Sequence, residues 1–191
     1  MTTRWCATRS LNSSCWTRTN EANRNPMSHL ILFVCTGNVC RSPMAAALFN
    51  WRAKRLEETD EWVAESAGTW ANNSQPASGY SMTVMAQRGL DITGHRARTI
   101  TDQDMEQSDI VIVMTRSHRD ALAAEFPRHR HKIHLMSELR GRAYDIGDPY
   151  GGSLSEYNYC AQELQDLIES GYEVIKTWAP NQTPSNDSSI G

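Results

Sequence analysis

Residues 29–49, HLILFVCTGNVCRSPMAAALF, constrain the fold more than any other stretch of the chain. LILFV (30–34) is a continuous apolar run of strand length with no polar residue to offer a solvated face. It therefore predicts a strand buried on both sides. A short turn follows, and Ser42-Pro43 then opens an alanine-rich segment. Serine is a good N-cap and proline a favoured first helical residue, so the helix is expected to begin there. Met44, Ala47, Leu48, Trp51 and Leu56 form its rough apolar stripe.

The same alternation continues downstream. EWVAES (61–66), DIVIVM (109–114) and HKIHLM (131–136) read as further strands. SGYSMTVMAQRG (78–89) reads as a helix closed by Gly89, and RSHRDALAAEF as a helix capped by Thr115. The last helix starts at a capping box of Ser153 and Glu156. Its stripe runs Leu154, Tyr157, Ala161, Leu164, Ile168, Ile175 and Trp178. Strands alternating with helices predict an α/β fold, a parallel sheet covered by helices on both faces. Right-handed crossovers then gather the loops after the strands along one edge, where ligands bind.

The ends differ from the middle. Residues 1–26 carry Arg4, Arg9, Arg18 and Arg24 against Glu21 alone and show neither helical nor strand periodicity. An organelle transit peptide would look similar, but a leader ahead of a start at Met27 is the preferred reading. The expected organisation is a disordered extension over 1–27, one folded domain over 28–178 and a polar, disordered tail over 179–191. A net charge of −3 gives no reason to expect nucleic acid or a membrane surface as partner. Five cysteines without paired spacings fit neither a disulfide framework nor a zinc site, so a reducing, cytoplasmic location is expected.

The turn after the first strand lies where a site belongs. A Cys-x5-Arg spacing arises by chance roughly 0.4 times in a chain of this composition, so the spacing alone says little. Its position between a buried strand and a helix start says more. Backbone N–H groups of Thr36, Gly37, Asn38, Val39 and Cys40 can cradle an anion, with Gly37 free to adopt a conformation closed to other residues. The helix dipole adds a positive field. A thiol such as Cys35, at a helix N-terminus beside Arg41, is expected to ionise more readily than its usual value of about 8.5 allows. A thiolate in an anion cradle is poised to attack bound phosphorus, and the planar fork of Arg41 can grip two phosphoryl oxygens. The leaving oxygen then needs an acid on a nearby loop. DIGDPYGGS (145–153) offers Asp148, stiffened by Pro149 and walled by Tyr150, with Asp145 as a local competitor.

VCTGNVCRSP together with DPYGGS, SAGT (66–69), GHRAR (94–98) and DIVIVM resembles the low-molecular-weight protein tyrosine phosphatases, in that family's order over residues 29–175. The resemblance implies a three-layer α/β/α arrangement with a four-stranded parallel sheet and a two-step mechanism without metal or other cofactor. It implies Cys35 as nucleophile forming a phosphocysteine, Arg41 as phosphate ligand and Asp148 as acid and then base. It also implies that Asn38 braces the loop with Ser66 and His95, and that the Ser42 hydroxyl serves the thiolate, a job the sequence does not separate from capping. Trp70 and Tyr150 are expected at the pocket rim. Cys40 is read either as buried filler or as the partner that captures oxidised Cys35 in a disulfide. Cys160 is read as core. The expected partners are phosphotyrosine proteins, a tyrosine kinase among the candidates, with the chain a monomer or weak dimer.

Alternatives stay open on the same residues. Thiol-relay arsenate reduction is disfavoured, because no cysteine lies between Cys40 and Cys160. Protein-arginine phosphatases of the family tend to carry Thr at the position of Val39, whose apolar side chain suits a phosphotyrosine ring. A phosphopeptide-binding module without turnover would need neither Cys35 nor Asp148.

Overall fold

The computed structural model describes residues 28–180. Four strands, β1 (His29–Cys35), β2 (Trp62–Gly68), β3 (Ile110–Val113) and β4 (Ile133–Leu135), form one sheet in the order β2-β1-β3-β4. Every pairing is parallel, with Cys35 opposite Gly68 and Val34 opposite Val113. The helices are α1 (Arg41–Arg55), α2 (Gly79–Ala86), α3 (Asp102–Gln107), α4 (Arg116–Glu125) and α5 (Leu154–Trp178). This is the α/β/α arrangement expected. The proposed extension over 1–27 and most of the tail lie outside the described residues.

Strand alternation explains both cores. Ile31, Phe33, Ile110 and Ile112 face one side, where they pack with Met44 and Phe49 of α1, Met85 of α2 and Leu164 and Tyr172 of α5. Leu32, Val34, Val111 and Val113 face the other, against Met105 of α3, Leu122 of α4 and Phe126. Successive residues of one strand thus enter different cores, which is why LILFV tolerates no polar residue. Each fully buried side chain of this size contributes about 1.5–3 kcal/mol. At the outer edge of β2, the Asn50 carboxamide donates to Ala64 O and accepts from Ala64 N, both at 2.8 Å. That side chain satisfies backbone groups an open edge would leave exposed.

The sequence-based boundaries need three corrections. First, α1 begins at Arg41, with Cys40 as N-cap and no side-chain cap. Ser42 therefore lies in the first turn and does not cap the helix, because its hydroxyl is engaged elsewhere. Second, α3 was not anticipated. Its six residues bury only Asp104 and Met105, too few to show a period, although Thr101 and Asp104 form a capping box. Third, Gly37 is not the left-handed residue of the turn; Asn38 is, at φ 54°. Asparagine tolerates that region better than most residues with a side chain. The caps at Thr115 and at Ser153 with Glu156 are as expected.

The helix after β1 packs on one face and the helix after β3 on the other. The crevice at the C-terminal ends of β1 and β3 is where such sheets hold ligands. Ile146 N donates to Met114 O at 2.8 Å, which brings the 145–150 loop to the same edge. Among the described residues, no helix is long and apolar enough to cross a membrane.

Candidate active site

The loop between β1 and α1 is held from behind. Asn38 Nδ2 donates to Ser42 Oγ and to Ser66 Oγ, both at 2.9 Å, and Asn38 Oδ1 accepts from Arg98 N at 3.0 Å. Asn38 O accepts from His95 Nε2 at 2.7 Å. A carbonyl can only accept, so the His95 proton is on Nε2. Burial keeps His95 below the usual histidine range, favouring that neutral form. Asn38 is fully buried, so every polar atom of its carboxamide needs these partners. The glycine that matters is Gly68: a Cβ there would lie 2.4 Å from Thr36 O and 3.1 Å from Asn38 N. Thr69 N and Trp70 N donate to Cys35 O and Thr36 O at 2.8 and 3.0 Å, tying the loop to the chain leaving β2.

Cys35 Sγ lies 3.0 Å from Ser42 Oγ. Ser42 Oγ also accepts from Asn38 and donates to Ala67 O at 3.2 Å. The hydroxyl has one proton and two candidate acceptors, so it turns toward sulfur when sulfur is anionic. Thus Ser42 serves the thiol and not the helix end.

Arg41 is buried and reaches across the crevice. Its Nη1 donates to Ile146 O at 3.1 Å and its Nη2 to Thr36 Oγ1 at 3.4 Å. Nη2 also pairs with Asp148 Oδ2 at 2.5 Å. Asp148 is half-exposed, and its Oδ1 accepts from Tyr150 N at 3.2 Å. Asp145 is elsewhere. Its Oδ1 accepts from Arg116 N at 2.9 Å and Arg116 Nε at 3.1 Å, and the backbone bond above all holds its carboxyl below the usual range. A carboxylate so occupied is a poor proton donor.

A cleft of about 310 Å³ is lined by Cys35, Arg41 and Asp148 together with Thr36, Gly37, Val39 and Cys40, and by Trp70 and Tyr150 at the rim. Asn38, Ser42, Ser66 and His95 form the bracing behind it. Of the residues singled out from the sequence for the reaction, all but Asp145 are therefore brought together. A larger cavity of about 420 Å³ runs behind the brace along β2, past Ser66 and His95, and includes neither Cys35 nor Asp148. Trp70 is 83% exposed and Tyr150 69%, so both present aromatic surface to an incoming group.

Cys40 Sγ lies 3.3 Å from Tyr157 Oη and 3.5 Å from Ser78 Oγ. Burial pushes its thiol pKa up, and pushes Cys160 up to about 12. Both are held as thiols in the core.

Sequence reasoning missed three contributors. Asn72 and Gln75 line the cleft from the loop after β2, which has no periodicity to mark it. His118 on α4 sits beneath Thr36, with Nε2 2.9 Å from Thr36 Oγ1. The available signal was its i, i+4 spacing from Leu122, the other buried residue of α4.

Comparison with known proteins agrees with this geometry. Residues 30–177 match the family described as "Low molecular weight phosphotyrosine protein phosphatase". The chain is 36% identical over 147 residues to a protein-arginine-phosphatase of Bacillus subtilis (strain 168), covering 76% of this chain and 96% of that protein. It is 34% identical over 145 residues to the low molecular weight protein-tyrosine-phosphatase PtpB of Staphylococcus aureus, covering 76% and 98%. Among solved structures, the low molecular weight protein tyrosine phosphatase from T. tengcongensis superposes with a TM-score of 0.74 at 40% identity, covering 77% of this chain and 99% of that one. With fold, sequence and loop agreeing, the chain belongs to the low molecular weight phosphotyrosine protein phosphatase family.

Proposed function

We propose that residues 28–178 hydrolyse phosphotyrosine on proteins through a phosphocysteine on Cys35, without a metal. The observation that carries this reading is the convergence of Cys35, Arg41 and Asp148 on one cleft, with the Ser42 hydroxyl 3.0 Å from the sulfur.

The phosphoryl group competes with Asp148 for Arg41, whose guanidinium then grips two phosphoryl oxygens. Cys35 Sγ, as thiolate, attacks phosphorus; the S–P bond forms and the P–O bond to the leaving group breaks. Asp148, freed from Arg41 and protonated, gives its proton to the leaving oxygen. In the second half, the Asp148 carboxylate takes a proton from water as that oxygen attacks phosphorus and the S–P bond breaks. The departing sulfur accepts a hydrogen bond from Ser42. The products are the dephosphorylated protein and inorganic phosphate.

Val39, with Trp70 and Tyr150 at the rim, supplies apolar surface for a phenyl ring. Phosphoarginine is the second reading. Asn72 and Gln75 offer carbonyl acceptors to guanidinium N–H groups, and a relative 36% identical is named for that activity. The reaction needs a reduced thiol, and Cys35, Cys40 and Cys160 are all free, which fits a reducing cytoplasmic setting. Tyrosine kinases that phosphorylate themselves are one class of phosphoprotein substrate to test.

The test is phosphate release from matched phosphotyrosine, phosphoserine and phosphoarginine peptides in EDTA. Turnover greatest for phosphotyrosine is expected. Greater turnover of phosphoarginine would move the assignment to the second reading, and tight binding without turnover would make the chain a binding module.

A further inference from the structure

His118 has no place in the mechanism above, yet it is 7% exposed and, among the described residues, its only side-chain hydrogen bond is to a residue of the phosphate-binding loop. Its Nε2 lies 2.9 Å from Thr36 Oγ1, while its buried Nδ1 has no hydrogen-bond partner among the described residues. Thr36 itself lines the cleft beside Cys35. The helix is pinned at this point, since His118 N donates to Thr115 Oγ1 at 3.2 Å. The imidazole is therefore a fixed object under an exposed hydroxyl.

The proton count decides what the contact does. Arg41 Nη2 has no lone pair, so at 3.4 Å it donates to Thr36 Oγ1. His118 is neutral, held down to about 4 first by burial and then by Arg41. Of its two neutral tautomers, the one with the proton on Nδ1 would leave a buried N–H without an acceptor. Orphaned buried N–H groups are rare and costly. The other tautomer donates from Nε2 to Thr36 Oγ1. Both lone pairs of the Thr36 oxygen are then taken, by Arg41 and by His118, and the hydroxyl proton has no direction left except the cleft.

We propose that His118 is a positioning residue that, through Thr36, aims one hydroxyl donor at the phosphoryl group bound in the cleft. The inference rests on the phosphatase reading. In it Thr36 touches the substrate and His118 does not. A fixed donor that needs no reorientation during reaction is the kind that stabilises developing charge on phosphoryl oxygens. Without His118 the hydroxyl regains its rotation and can instead satisfy itself within the loop.

The experiment is a double-mutant cycle on the full chain with two readouts, kcat/KM for a phosphotyrosine peptide and the dissociation constant of tungstate by calorimetry. Thr36→Val and His118→Leu should each lower kcat/KM by about ten-fold, and each should weaken tungstate binding. The double variant should fall no further than either single variant. His118→Gln, whose carboxamide N–H replaces Nε2–H, should stay near wild type, whereas the shorter His118→Asn should behave like His118→Leu. The Gln and Asn variants keep the test decisive if the Leu variant does not fold. Thr36→Val unchanged in both readouts, losses that multiply in the double variant, or equal activity of the Gln and Asn variants would overturn the inference. Absence of wild-type turnover would instead count against the phosphatase reading, and the tungstate cycle would still decide the role of His118.

Discussion

Arg41 Nη2 and Asp148 Oδ2 lie 2.5 Å apart, joining the loop between β1 and α1 to the 145–150 loop. One side chain of the pair is buried and the other half-exposed, so the contact is not a mere surface ion pair. It has a consequence for the reaction. In the proposed mechanism the group that holds the substrate's charge also holds the carboxylate that becomes the proton donor. A bound phosphoryl dianion would take the guanidinium and release the Asp148 carboxylate from it in the same event.

Asp148→Asn should therefore lose kcat/KM, which reports the steps up to departure of the leaving group, in proportion to how badly that group needs a proton. We expect a loss of roughly 10²- to 10⁴-fold with a phosphotyrosine peptide and a much smaller loss with p-nitrophenyl phosphate, whose leaving group is a weaker base. Steady-state kinetics on both substrates measure this. Equal losses on the two would remove Asp148 from the acid role.

Gly68→Ala should damage the loop without touching a reacting atom. The new Cβ would meet Thr36 O at 2.4 Å, which is backbone and has little room to move. Strain of this kind costs about 1–3 kcal/mol. Urea unfolding should show the destabilisation, and tungstate affinity should fall with it. Gly37→Ala is the control for conformation within the loop, because its nearest neighbour to a Cβ is Val39 Cγ2 at 3.7 Å.

Cys40 should respond to oxidation and not to alkylation. Its thiol is raised by burial, so iodoacetamide near neutral pH should label Cys35 well before Cys40 or Cys160, as peptide mass mapping would reveal. After brief peroxide treatment, wild-type activity should return on adding a thiol, whereas Cys40→Ala should recover less. Equal recovery would leave Cys40 as filler against Tyr157.

Acid pH should act on stability and activity separately. His118 ionises near 4 in the folded state against an ordinary 6.5, so between those values the unfolded chain binds more protons. Stability therefore rises with pH across that window and is lost as pH falls through it. His95 and His134 are shifted in the same direction, also by burial, and add to the slope. His118→Gln should flatten the dependence of the urea midpoint between pH 6.5 and 4. Under the proposed mechanism, which uses Cys35 as thiolate and Asp148 as acid, activity should be bell-shaped, and a flat profile up to about pH 9 would contradict the assigned roles.

How much of this was legible follows from what kind of signal each residue leaves. LILFV and DIVIVM announced strands because burial on both faces forbids polar residues there. Ser153 and Glu156 announced a helix start because their reciprocal bonds require those residue types three apart. Ser42 misled for a physical reason: a serine before a proline has the chemistry of a cap, but the Cys35 sulfur and the Asn38 amide compete for the same hydroxyl. Asn38, Ser66 and His95 carried no local pattern and were reached through family resemblance alone. The spacing of His118 from Leu122 could mark it as buried, but not as a site residue, because its partner, Thr36, lies 82 positions away. The left-handed residue was placed on Gly37 instead of Asn38 because glycine is the usual default for that conformation.

The central claim is that Cys35 carries the phosphoryl group during turnover. Rapid acid quench of wild-type chain mixed with excess phosphotyrosine peptide, followed by mass spectrometry of the Cys35 peptide, tests it directly. The account predicts a Cys35 peptide heavier by one phosphoryl group, its amount rising in Asp148→Asn when p-nitrophenyl phosphate, whose departure needs little acid help, is the donor and hydrolysis slows, and no turnover in Cys35→Ser. Phosphate release that continues in Cys35→Ser, or turnover with no adduct on Cys35 in either chain, would contradict it.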